Sequence, residues 1–271
     1  MSLKVSLVSL GCTKNRVDAE ILLGLLQNAG YEIMSDVSSA DIVIVNTCAF
    51  IEDAKKESID EIFNVVRQKE KSQVKYIVVT GCLAERYKEE IFKEIPEVNA
   101  VVGIGSNKDI VKIINDMLKG ETLACFDKKN QMLLSGPRVH TTPLHYAYIK
   151  IAEGCDNKCS YCAIPYIRGR YRSRRMEDII KEAQSLVDCG AKEIILIAQD
   201  TTRYGEDIYG RKKLAELLTK LCTIEKLEWL RILYSYPDKM SDDLLNTIAR
   251  ESKVVKYIDI PMQHCNKNIL S

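Results

Sequence analysis

Glu153-Gly154-Cys155-Asp156-Asn157-Lys158-Cys159-Ser160-Tyr161-Cys162-Ala163-Ile164-Pro165 follows directly on an alternating, strand-like segment, Tyr146 to Ala152. Its cysteines are spaced C-x3-C-x2-C. Thiolates are soft ligands suited to iron–sulfur clusters, zinc or copper. Structural zinc takes four ligands, commonly two C-x2-C pairs or one such pair with two histidines. Here three cysteines stand close together, with no fourth nearby and no histidine downstream until His264. Three thiolates on an iron–sulfur cube leave one iron open to a small-molecule ligand. A zinc knuckle and a redox-active C-x2-C pair are the other readings of the same residues.

The surrounding chain is ordinary for a globular protein. Its 271 residues favour two domains, and the apolar fraction of 46% with 28% charged residues supplies ample core. A net charge of +1 exerts no global pull toward nucleic acid or an anionic membrane. No stretch approaches the ~20 apolar residues of a membrane span, and Met1 to Val5 runs into a strand rather than a signal peptide. The expected compartment is the cytoplasm, where thiols stay reduced. The ten cysteines are therefore candidate ligands rather than disulfides.

Upstream of the loop, short β-branched runs alternate with helical patterns, as in a doubly wound parallel sheet. Strands are expected at Val5–Leu10, Asp41–Asn46, Tyr76–Thr80 and Asn99–Ile104, with a weaker one near Tyr31–Met34. Helices are expected at Asn15–Ala29, Glu52–Lys69, Ala84–Glu94 and Asn107–Lys119. Cys12 then follows the first strand, Cys48 the Asp41–Asn46 strand and Cys82 the Tyr76–Thr80 strand. Each sits just past the carboxyl end of a parallel strand, the edge where open α/β sheets bind ligands. Their repeated topological position predicts a second three-thiolate site, with Gly11 and Gly81 permitting close approach. Buried cysteines that merely end core strands are the plainer alternative.

Residues 121–144 lose periodicity and read as a linker between a domain at 1–120 and one at 145–271, with a hairpin across Thr122–Phe126 and Gln131–Leu134. Beyond it, strands at Tyr146–Ala152, Glu193–Ala198, Trp229–Leu233 and Val255–Ile260 alternate with helices at Met176–Cys189, Lys213–Cys222 and Ser241–Glu251, the pattern of a β/α barrel. Cys189 and Cys222 read as core. Arg168 to Arg175 holds five arginines in eight residues, suited either to contact a phosphate or carboxylate or to form a solvated loop.

With both cysteine sets placed, the chain resembles the radical S-adenosylmethionine (SAM) methylthiotransferases, in the RimO branch that modifies an aspartate of a small-subunit ribosomal protein. The resemblance is carried by Ser9 to Asn15 with Val17 to Glu20, Asn46 to Ile51, Thr80 to Cys82 and Glu153 to Gly169. Gln199 to Gly205, Tyr234 to Pro237 and Asp259 to His264 extend it. The MiaB branch, which acts on a modified adenosine in tRNA, shares both cysteine sets and is the alternative. The resemblance implies that Cys155, Cys159 and Cys162 hold a catalytic 4Fe-4S cluster on which SAM is reduced and cleaved to a 5′-deoxyadenosyl radical. It implies that Cys12, Cys48 and Cys82 hold an auxiliary 4Fe-4S cluster that delivers sulfur, with an electron donor such as a flavodoxin or ferredoxin. Tyr161, Gln199, Asp200 and Arg231 are the candidate SAM contacts: Tyr161 for the adenine, Gln199 and Asp200 for the ribose or amino group, Arg231 for the carboxylate. Members of the family carry six barrel units and a C-terminal β-domain. Four units are visible here, so a C-terminally incomplete barrel is expected, with its last strand left as an apolar edge.

Overall fold

The structure is a computed structural model describing residues 2–270. Two compact units emerge: Met1–Thr141 with Asn157–Gly169, and Thr142–Asp156 with Arg170–Ser271.

The first unit is built on strands β1 (Lys4–Ser9), β2 (Glu32–Met34), β3 (Ile42–Thr47), β4 (Tyr76–Gly81), β5 (Ala100–Val102) and β6 (Leu123–Cys125). They form one parallel sheet in the order β2-β1-β3-β4-β5-β6. Every residue of β3 is buried, because helices cover both faces and leave no solvent side. Alternate side chains serve opposite cores. Val43 and Val45 join Ile62, Ile77 and Val79, while Ile42 and Ile44 join Val5, Leu22, Val78 and Ile110. The covering helices are α1 (Thr13–Asn28), α2 (Glu52–Lys69), α3 (Cys82–Tyr87), α4 (Glu90–Glu94) and α5 (Ile110–Met117), joined by α6 (Ile164–Arg168) from the cysteine loop.

Three sequence expectations change here. The helix expected over Ala84–Glu94 begins two residues earlier, at Cys82, and divides at Lys88, whose φ of 47° leaves the helical region. No hairpin joins Thr122–Phe126 to Gln131–Leu134. Instead β6 pairs in parallel with β5, and Lys129–Gln131 forms a 3-10 turn that delivers Met132 to a buried position. Adding an edge strand satisfies the backbone of β5 directly, so the sheet runs past residue 120.

The second unit contains β7 (Tyr146–Lys150), β8 (Ala152–Glu153), β9 (Arg172–Ser173), β10 (Glu193–Ile197) and β11 (Trp229–Ile232), with α7 (Met176–Asp188), α8 (Glu206–Tyr209), α9 (Leu214–Cys222) and α10 (Asp242–Arg250). A parallel sheet of order β11-β10-β7 packs Ile149, Ile194 and Leu196 against Ile179, Leu217 and Leu218. An antiparallel pair joins β8 to β9.

The strand expected at Val255–Ile260 does not form. Its start makes one parallel bridge, Leu230 with Val254, and near its end the Ser235 N–H donates to the Asp259 carbonyl at 2.9 Å, too little for a continuous ladder. The Tyr257 N–H then folds back on the Val255 carbonyl at 2.8 Å, and the Asp259 carboxylate accepts from the Tyr234 N–H at 3.0 Å. Local turns and a side-chain cap take the bonds that a ladder needs. Cys189, expected in the core, is exposed at the end of α7, whereas Cys222 packs against the core.

Candidate metal centres

The strand order of the first unit reverses between β1 and β3, the switch point at which open α/β sheets leave a ligand crevice. Cys12 lies past β1 at the start of α1, Cys48 past β3, and Cys82 opens α3. Cys48 and Cys82 are buried and Cys12 is half-buried, all three as free thiols. Burial pushes the Cys48 thiol up, and it pushes the Cys82 thiol up to about 11, opposed by the Arg168 guanidinium; each is further raised by Cys12. The structure therefore brings the three sequence-predicted thiols into one electrostatic neighbourhood.

Glycines make that approach possible. Gly11 has φ +85° and a Cβ there would stand 2.8 Å from Cys48 Sγ. Gly81, at φ +94°, would put a Cβ 2.4 Å from the Thr47 carbonyl oxygen. Both positions combine a left-handed backbone with no room for a side chain. Ser58 of α2 fixes the backbone of Cys48: its hydroxyl accepts from the Cys48 N–H and donates to the Cys48 carbonyl, each at 2.9 Å. Asn15 donates to the Leu10 and Thr47 carbonyls at 3.0 and 2.9 Å, which orients its own Oδ1 toward Cys82 Sγ at 3.6 Å.

The motif residues after Cys12 serve this frame. Asp18 and Glu20 are buried on α1. Asp18 pairs with Arg168 at 2.6 Å. Glu20 pairs with Arg138 and accepts from Thr141 through its N–H at 3.0 Å and its hydroxyl at 2.8 Å. These partners cover two buried carboxylates that would otherwise be costly. Nothing in the sequence marks Asn15, Asp18, Ser58 or Arg168 as neighbours of these thiols; a Ser or Asp facing the apolar side of a helix pattern is the available signal.

In the cysteine loop, Cys159 and Cys162 belong to the first unit and are half-buried; the Cys162 N–H donates to the Cys159 carbonyl at 3.0 Å, closing a turn. Tyr161 between them is 64% exposed. Cys155 belongs to the second unit and is buried after β8. In that unit Lys150 and Glu153 form a fully buried ion pair at 2.7 Å, and Gln199 Nε2 donates to Glu153. Gln199 Oε1 is buried with no hydrogen-bond partner among the described residues. Asp200 is buried and accepts from the Thr202 N–H at 3.1 Å and from its hydroxyl. Arg231 pairs with Glu193 at 2.6 Å and lies over the Tyr257 ring.

The arginine-rich stretch is neither a solvated loop nor a uniform basic patch. Arg168 is buried, Arg170 is solvent-exposed, and Arg174 is buried against Glu182 at 2.6 Å and the Lys150 carbonyl at 2.9 Å.

Within the first unit, Cys12, Cys48 and Cys82 offer three thiols without a histidine or carboxylate ligand, a donor set that fits an iron–sulfur cluster. Among the described residues no three His, Cys, Asp or Glu side chains close on a single ion. A cube binds each thiolate to a different iron, so its ligands need only border a common space.

The second unit thus joins a parallel β/α sheet to a cysteine loop that follows β8. The Radical SAM superfamily matches residues 149–271, and the uncharacterized protein family UPF0004 matches residues 4–103. Over 270 residues the chain is 52% identical to the ribosomal protein uS12 methylthiotransferase RimO of Caldicellulosiruptor saccharolyticus, covering 98% of this chain and 61% of that protein. It is 48% identical over 269 residues to RimO of Clostridioides difficile, covering 99% and 61%. The chain is thus similar to RimO-type radical-SAM methylthiotransferases over nearly all of its own length, and it spans about three fifths of the length of these curated relatives. In fold it is similar to the radical SAM methyltransferase TsrM from Kitasatospora setae, with a TM-score of 0.69 at 15% identity, covering 100% of this chain and 63% of that one.

Proposed function

We propose that this chain is part of a cytoplasmic enzyme that adds a methylthio group to the β-carbon of an aspartate in a small-subunit ribosomal protein, with two 4Fe-4S clusters and SAM. The observation that carries the reading is the convergence of Cys12, Cys48 and Cys82 at one sheet edge, on a chain that also holds the C-x3-C-x2-C loop and is about half identical to RimO proteins. No described helix is long and apolar enough to cross a membrane.

Residues 1–120 carry the auxiliary site and residues 145–271 the SAM site, joined by 121–144. Cys155, Cys159 and Cys162 hold the catalytic cluster; Cys12, Cys48 and Cys82 hold the auxiliary one. When bound, these groups supply SAM cleavage, hydrogen abstraction from an unactivated carbon and sulfur for the new C–S bond, with a second SAM as methyl source and one electron from a flavodoxin or ferredoxin. The chain's own residues bind and orient. Gln199 Oε1, buried and unpartnered, is suited to accept from the amino or ribose hydroxyl groups of SAM. Asp200, held by Thr202, braces the same strand end. Exposed Tyr161 can lie along the adenine. Arg231 offers a guanidinium for the SAM carboxylate while sharing it with Glu193.

Mass spectrometry of the ribosomal protein and of tRNA from a strain lacking the gene tests the substrate. Loss of the methylthio group from the aspartate is expected. Its loss from tRNA adenosine alone would move the enzyme to the MiaB branch.

A further inference from the structure

Arg168 follows Cys162 by six residues, at the end of α6. It could have extended into solvent like Arg170, yet its side chain is 2% exposed. Ile167 beside it is buried in the core that contains Cys82 and Leu83, and α6 packs against α3. The cysteine loop thus inserts one guanidinium into the first unit. There Nη1 donates to Asp18 at 2.6 Å and approaches Met132 Sδ at 3.8 Å. Nη2 donates to Asn15 Oδ1 and, at 3.2 Å, to Cys82 Sγ.

Ligation removes the Cys82 proton and with it the thiol's own bond to Asn15. The Arg168 N–H then remains as the donor to the sulfur. Arginine cannot give up its charge in this setting, and its rigid fork bonds sulfur, amide and carboxylate together. A cluster in a buried site is hard to reduce, because each added electron concentrates charge where solvent does not screen it. A charge-assisted bond to a ligand sulfur opposes that penalty, and hydrogen bonds to sulfur and local net charge are what tune such potentials.

We propose that Arg168 is a positioning residue for the auxiliary cluster, holding Cys82 in ligand geometry and raising the cluster's reduction potential, while Asp18 limits that rise. The inference rests on the cluster assignment of the proposed function. It also makes the auxiliary site depend on a residue delivered by the loop of the other cysteine set.

The test uses the full-length protein with Cys155, Cys159 and Cys162 replaced by alanine, so that the auxiliary cluster alone is reconstituted anaerobically. Iron and sulfide are counted, and redox titration is followed by electron paramagnetic resonance for the parent, R168K, R168Q and D18N. R168Q should lower the midpoint potential, and R168K should fall between it and the parent. D18N keeps the guanidinium but removes its counter-charge, so it should raise the potential. A purely structural role would not produce shifts of opposite sign. Should R168Q fail to hold iron, R168K against D18N still decides. Unchanged potentials in R168K and D18N with the cluster fully loaded overturn the inference alone. A parent that assembles no cluster at Cys12, Cys48 and Cys82 overturns the proposed function and this inference with it.

Discussion

The two proposed ligand sets are assembled by opposite routes. Cys155, Cys159 and Cys162 lie within eight residues, and local turns bring Cys159 and Cys162 together. Cys12, Cys48 and Cys82 span about 70 residues, and three strands must pair before they meet. The second route carries the cost of ordering a whole sheet, but it yields a rigid frame: α1, α2 and the two glycines hold every backbone segment that bears a thiol. The first route leaves Tyr161 and its neighbours in contact with solvent. In the proposed division of labour, a loop that admits a small molecule and releases it gains from that openness, whereas a site that stores a reactive group gains from enclosure.

The sharpest way to break the comparison is to remove one ligand from each set in the full-length enzyme. C155A should abolish 5′-deoxyadenosine formation, and C48A should retain it while losing methylthiolation. Quantifying 5′-deoxyadenosine and product in one assay separates the roles. Loss of SAM cleavage in C48A, with the loop cluster still loaded, would show that the sets do not divide the labour as proposed.

A smaller effect tests whether the strand-end frame is rigid. Gly81 and Gly30 both have positive φ, +94° and +90°, but Gly81 also sits at ψ −159°, a region essentially reserved for glycine, whereas a Cβ at Gly30 meets nothing within 4 Å. G30A should cost only the left-handed penalty, about 1–2 kcal/mol. G81A adds the clash with the Thr47 carbonyl, so its total should reach about 2–5 kcal/mol. Urea unfolding of the cluster-free protein measures both. G81A should also lower iron content, which G30A should leave alone. Equal costs would mean that the edge yields, and the contrast between a rigid and an open site would fail.

How much of this was legible in the sequence follows the same division. The C-x3-C-x2-C loop is local, so its spacing alone proposes the chemistry. The other set was legible one step later, because Leu10, Asn46 and Thr80 end apolar runs whose parallel pairing could be anticipated. What escaped was set by distant partners. Arg168 reads as one of five arginines in a polar stretch, and only Asp18, 150 positions away, explains its burial. Leu123–Cys125 looked like half of a hairpin because nothing nearby shows that β5 needs a neighbour. Val255–Ile260 has strand composition, yet Asp259 bonds across to Tyr234 and Tyr257 folds back locally.

The smallest expected effect belongs to Tyr161. Its side chain is mostly in water, so Y161A should leave the stability of the cluster-free protein within about 0.5 kcal/mol, as at other open surface positions. Its proposed role appears only when SAM is present. An aromatic ring stacked on the adenine contributes about 0.5–1.5 kcal/mol, which corresponds to a loss of roughly two- to tenfold in SAM affinity. Y161F keeps the ring and should bind SAM as the parent does. Equilibrium binding of SAM to the reconstituted protein, with iron content matched across variants, reads the difference directly. If Y161A binds SAM unchanged, Tyr161 only faces solvent between two ligands and the adenine must find another surface. If it unfolds the protein instead, the loop is more tightly packed than its exposure implies, and the contrast with the strand-end site narrows.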